Sequence, residues 1–215
     1  MDEIWSFICK KNKNVKPGDP LEYGDCWTYI ALKSESGLIV SSASGKHTEQ
    51  TCKIIFDNLY YAFDLPFPDN KFIFFTDKNI QYEDIIKETY SESCMAYGRI
   101  IKTKKENKVI EIKFETVFGS TVGYKISTSV VEGYNNKMRQ KITFFVRKTA
   151  AFSKSKQSFI ARINIFKFAN NFIDLKMERI GLKTIKMRTP AMIEGIADHA
   201  WTWKEFLTCN AVKAY

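Results

Sequence analysis

The sequence runs to 215 residues, 45% hydrophobic and 14% aromatic, with a net charge of +9. That is enough apolar material for one core, or one domain with an appendage, and no apolar run approaches the roughly 18 residues of a membrane span. The charge is uneven: residues 1–98 carry 10 bases and 15 acids, residues 99–215 carry 23 bases and 9 acids, so the second half has the footprint of a polyanion binder, with nucleic acid the commonest such partner and plain solubility the alternative.

Residues 2–9 mix apolar and polar β-formers and read as a strand opening with an acid. Lys10 to Asp25 holds Pro17, Gly18, Pro20 and Gly24 and reads as a loop. Cys26 to Lys33 and Leu38 to Ser44, separated by a turn at Gly37, complete an antiparallel meander. His47-Thr48-Glu49 caps a helix with apolar residues at Ile54, Ile55, Leu59, Ala62 and Phe63, ended by Pro66 and Pro68. Lys71 to Asp77 is a short, nearly continuous apolar run, the pattern of a strand buried on both faces, and it ends in an acid. Gln81 to Tyr90 reads as a helix, and Met95 to Lys102 and Val109 to Val117 as strands around a charged turn, within a possible β insertion over 93–128. From Ser129 onward the spacing predicts helices, including Phe144 to Phe152, Phe159 to Phe172 and Ile173 to Leu182, with a last helix started by Thr189-Pro190. The expected architecture is α/β: a core domain over 1–155 and a helical C-terminal extension over 156–215.

Five cysteines are dispersed without a Cys-x-x-Cys pair, which argues for reduced thiols in a cytosol. Only two histidines are present, far apart, so a His-rich metal site is a poor fit. Met1-Asp2-Glu3-Ile4-Trp5 is acidic and lacks a signal-peptide pattern. A cytoplasmic, bacterial-type, nucleoid-associated location is expected.

One carboxylate lies in the most basic stretch. From Gly133 to Pro190 there are fourteen Lys or Arg and only two acids. On a helix, Glu132, Asn135, Asn136 and Arg139 share a face. An acid, two amides and a guanidinium there resemble a metal ligand beside phosphate clamps; a solvated polar face is the alternative. Lys137, Lys141, Arg147, Lys148, Lys154 and Lys156 form a run suited to a DNA backbone.

Asp2 opens a strand, Asp77 ends a buried strand, and Glu132 opens a basic helix. Strand, strand, helix is the order in which a ribonuclease-H-like fold, a mixed sheet flanked by helices, builds a two-metal site. Phosphodiester chemistry there uses divalent cations about 3.5–4 Å apart, and Mg²⁺ (or Mn²⁺) takes hard oxygen ligands. Asp2 and Glu3 are neighbours on a strand, so only one is expected to face the site; Asp2 is chosen. His47 is expected in a turn, and His199 in packing or capping with Trp201 and Trp203.

Met1-Asp-Glu-Ile-Trp-Ser-Phe7, Phe74-Phe-Thr-Asp77, Val131-Glu132 with Asn135 and Arg139, Ala151-Phe-Ser-Lys154, and Thr189-Pro-Ala-Met192 through Asp198-His-Ala-Trp201 together resemble the insertion-sequence-one family of Asp-Asp-Glu transposases, over nearly the whole chain. The resemblance implies a ribonuclease-H-like core, divalent metal, and cutting and joining of double-stranded DNA at transposon ends. It implies Asp2, Asp77 and Glu132 as catalytic carboxylates, Arg139 and Asn135 as residues near the DNA, and a homodimer or higher assembly. Lys78 stands where the family usually has Gly, Gly133 where it has Arg, and Tyr134 replaces an amide. The family's N-terminal zinc-binding and helix-turn-helix region is expected to be absent, since Met1 directly precedes Asp2. The alternative expectation is a catalytically silent, truncated or domesticated relative that binds DNA or pairs subunits.

Overall fold

A computed structural model describes residues 1–62, 66–77, 80–106, 108–124, 127–146, 148–180 and 184–209. Strands β1 (Asp2–Ile8), β2 (Gly24–Leu32) and β3 (Ile39–Gly45) form the antiparallel meander. Ile4, Ser6 and Ile8 of β1 are buried on one face, the period of two that a pleated strand imposes. The turn between β2 and β3 closes where Gly37 donates its N–H to the Lys33 carbonyl. Gly37 has φ +69, and a Cβ there would collide with Tyr134 and Lys176.

Helix α1 (Glu49–Ala62) buries Thr51, Cys52, Ile55, Phe56 and Leu59, one stripe at helical spacing. Strand β4 (Phe72–Asp77), helix α2 (Ile80–Thr89) and strand β5 (Met95–Lys105) form a parallel β-α-β unit, and β6 (Lys108–Phe118) pairs antiparallel with β5. A parallel pair needs such a crossover helix. β5 is therefore a strand of this mixed sheet, and only the far end of the β5–β6 hairpin projects from it. The start of β1 meets the end of β4, where the Met1 nitrogen donates to the Phe75 carbonyl at 2.6 Å.

The meander and the mixed sheet β4-β5-β6 are separate in their hydrogen bonding, and helices cover both faces of the meander. On one, α1 and α2 pack Phe56, Tyr82 and Ile86 against Tyr29, Met95 and Tyr97. On the other, Tyr134 and Met138 of α3 (Ser129–Lys141) and Phe159, Ile163 and Phe166 of α4 (Lys156–Phe168) pack against Ile4, Ile8, Ile30 and Ile39. α4 is thus a covering helix of the meander.

Three helical expectations are corrected. Among the described residues, Phe144 to Phe152 holds a single 3₁₀ turn, Thr143–Phe145, and the chain then meets β1: Cys9 donates its N–H to the Ser153 carbonyl at 2.8 Å. Ile173 to Leu182 contains a strand, β7 (Lys176–Ile180), paired antiparallel with β8 (Thr184–Arg188). The alternation Lys-Met-Glu-Arg-Ile fits a two-residue period as well as a helical one, and the partner strand decides. The extension is therefore mixed, not all-helical. It ends in α5 (Pro190–Ile193), capped by Thr189, and α6 (Trp203–Thr208), whose Thr202–Glu205 capping box the periodicity did not reveal.

Between α4 and β7 the chain makes one π-helical turn, Ala169–Ile173. It aims the buried Asn171 side chain at β3, accepting from the Ile39 N–H at 2.9 Å and donating to the Ile39 carbonyl at 2.8 Å.

Candidate active site

Asp2 is the first residue of β1 and Asp77 the last of β4. The contact between the start of one strand and the end of the other brings their carboxylates together, and Glu3 joins them. One oxygen from each of Asp2, Glu3 and Asp77 lies within 4.8 Å of the others. Asp2 faces α3, where Asn135 donates to its Oδ2 at 2.7 Å. Its Oδ1 accepts the Glu3 N–H at 2.9 Å. Glu3 faces the other side of the sheet, where the Tyr82 hydroxyl donates to Oε2 at 2.7 Å. Asp77, at the strand end, meets both.

The electrostatics are those of acids crowded out of water. Burial first, then the Asp77 charge, pushes Asp2 up to about 6. Burial first, then the Glu3 charge, pushes Asp77 up to about 6. Desolvation and like charge both disfavour the carboxylate. Among the described residues, Asp77 Oδ1 and Asn135 Oδ1 are buried without a hydrogen-bond partner. Buried acceptors are nearly always satisfied, so two orphans beside three acids mark a place for a positive or donating group. The set is all hard oxygen, as Mg²⁺ or Mn²⁺ requires. The residues fit a divalent cation.

Glu132 is not in that trio. It opens α3, and its Oε1 takes an ion pair from Lys102 on β5 and a hydrogen bond from Thr128 Oγ1 at 3.1 Å. The Lys102 bond holds its carboxyl below the ordinary glutamate range. The groups still feel one another's charge: Glu132 raises Asp2 and Lys102 lowers Asp77. A lysine ammonium thus holds the third expected acid beside the trio.

The residues expected at DNA separate into groups. Asn135 is 4% exposed and serves Asp2, so its direct contact is with a carboxylate in the protein. Lys137 and Lys141 both bind Asp174, at 2.9 and 2.7 Å, and Lys137 also donates to Asn170. Arg139 is half-buried and donates to Asn136 at 3.1 Å. Lys148 and Lys154 are exposed. Arg147 and Lys78 lie outside the described residues. His47 sits 4.7 Å ring to ring from Trp27 and 3.6 Å from Glu3. His199 stacks on Trp201 and bonds Asp198 and Glu205; the expected contact with Trp203 is not found among the described residues.

Sequence reasoning missed Glu3 and Lys102. Strict alternation sets Glu3 aside, and no local pattern links a lysine in a charged turn to α3. No protein-family model, curated protein or solved structure matches the chain. Among the described residues, no helix is long and apolar enough to cross a membrane.

Proposed function

We propose that this chain is the ribonuclease-H-like catalytic core of a DNA transposase resembling the insertion-sequence-one family, cleaving and joining DNA strands with divalent metal. The observation that carries the reading is the meeting of Asp2 and Asp77 at the junction of β1 and β4, with Asp77 Oδ1 buried without a hydrogen-bond partner among the described residues. The order of elements supports the fold: a three-stranded antiparallel meander, a helix, then a parallel β-α-β unit whose first strand meets β1.

In this reading Asp2, Glu3 and Asp77 would hold the cation, and Glu132 would complete the oxygen set. The bound metal supplies Lewis-acid charge at the phosphate and a lowered pKa for the attacking water or 3′-hydroxyl. Asn135 fixes the Asp2 carboxylate through its 2.7 Å bond, so Asp2 presents one oxygen in a defined direction. Glu132 joins only when it leaves Lys102, which frees the Lys102 ammonium for a phosphate oxygen nearby. Exposed lysines such as Lys148 and Lys154 add backbone contacts that give affinity without sequence choice.

The Lys102–Glu132 ion pair also favours a second reading, a silent module in which the lysine permanently fills the place of a metal. Nicking of supercoiled plasmid in Mn²⁺ separates the two. The catalytic reading expects activity that Asp77→Ala and Glu132→Ala abolish while DNA binding persists. Equal nicking by wild type and both variants would refute it.

A further inference from the structure

β1 meets the chain that follows α3 at two points, Phe144 and Ser153. The Ser6 hydroxyl donates to the Phe144 carbonyl at 2.6 Å, and Cys9 donates to the Ser153 carbonyl at 2.8 Å. Beside these points lies a cavity of about 160 Å³. Trp5 and Phe7 form one wall, Phe144 and Phe145 another, and Arg139 and Lys148 add charge. The volume is about half of the ~300 Å³ at which drug-sized pockets begin, the scale of a single ring system.

Three features set this cavity apart from a packing defect. Trp5 and Phe7 are only half-buried, with ring centroids 5.9 Å apart. The Lys11 ammonium already lies 5.6 Å from the Trp5 ring and 5.7 Å from that of Phe7, so these faces attract cations and stacked π systems. Lys148 is held at φ 60, a left-handed conformation that costs a non-glycine residue energy and that persists where the surroundings impose it.

Its place relative to the carboxylates selects the occupant. Trp5 lies three residues beyond Asp2 on β1, about 10 Å at the ~3.3 Å strand rise. Arg139 lies two helical turns beyond Glu132 on α3, again about 10 Å at ~1.5 Å per residue. That separation equals about three steps of a DNA strand at ~3.4 Å rise, and fewer when the strand is stretched. We propose that this cavity receives one unpaired nucleobase of a DNA strand, stacked on Trp5 and Phe7 with its phosphates held by Arg139 and Lys148. A phosphate about three steps along the strand then lies at the Asp2–Asp77 carboxylates. The idea deepens the proposed function and rests on it for the position of that phosphate, but base capture is measurable alone. Stacking tolerates any base, whereas phosphate contacts ignore bases altogether.

The test is fluorescence anisotropy with metal chelated, so that no strand is cut. Two labelled single strands of about 12 nucleotides are compared, a length within the ~4–16 that single-strand sites cover. One carries thymine throughout and the other has abasic sugars on the same backbone. Wild type is expected to bind the thymine strand about tenfold tighter, the loss typical of removing one stacked base. Trp5→Ala and Phe7→Ala should reduce that preference to about twofold or less, at unchanged salt dependence and with a cooperative melt. Trp5→Phe should restore it. Equal binding of both strands by wild type, or a preference that survives Trp5→Ala, overturns the proposal. So does a change of oligomeric mass in Trp5→Ala with DNA preference intact, which would make the patch a protein interface. A base preference in a protein that never nicks DNA would sink the catalytic reading alone; nicking without base preference would sink only this one.

Discussion

Replacing Asp77 by Asn should stabilise the metal-free protein. Burial and the Glu3 charge raise Asp77 from the ordinary 3.8 to about 6. A difference of that size corresponds to ~3 kcal/mol between the two protonation states. Solvent still reaches the cluster, so about half, ~1.5 kcal/mol, is the expected gain at pH 8. The sign follows from linkage. An acid whose folded pKa is raised keeps its proton in the folded state while the unfolded state has lost it. Wild-type stability therefore falls as pH rises from about 4 to about 6 and levels off above. Asn carries no charge and escapes that loss. At the size of this chain the gain corresponds to about 3–6 °C in Tm at pH 8, vanishing near pH 4. The assay is thermal melting at both pH values, with and without Mg²⁺. Metal should raise the wild-type Tm and leave Asp77→Asn unchanged. A variant that melts lower than wild type at pH 8, or that gains as much from Mg²⁺, would refute the account of a crowded carboxylate site.

Lys102→Met should free Glu132 and tighten Mn²⁺ binding several-fold by spin-resonance titration, since the ammonium no longer competes for that carboxylate; weaker binding would show that Lys102 instead helps to build the site. Phe159 is fully buried and stacked on Phe144 at 4.3 Å. Phe159→Ala should cost about 3–5 kcal/mol in urea denaturation, whereas a loss under about 1 kcal/mol would mean that α4 is not part of the core.

Much of this arrangement is legible in the residues. The apolar run Lys71 to Asp77 reads as a strand buried on both faces that ends in an acid; the strand and its terminal acid are there, but Phe72 to Phe75 are only half-buried, because β4 is an edge strand of its three-stranded sheet. The meander, α1, α2 and the amphipathic α3 follow from two- and 3.6-residue periods. The remainder depends on which elements become neighbours. Glu3 joins Asp2 only because Asp77, at a strand end, is reached from both faces of β1. Lys102 finds Glu132 only through the register of β5 and the docking of α3. Lys176 to Ile180 carries a pattern that a helix or a strand satisfies, and its antiparallel partner resolves it. The base-sized cavity has no linear signature, because its walls come from β1, α3 and an irregular segment.

The turn at Ala169–Ile173 governs how far the meander extends. With its amide against Ile39, Asn171 acts as a strand one residue long and occupies main-chain groups that would otherwise recruit another chain. The wider winding of that turn sets the direction of the amide. Deleting a single residue between Phe168 and Asn171 would turn the side chain away from β3, uncover the main chain of Ile39, and open that edge to pairing with another chain while the carboxylates stayed in place.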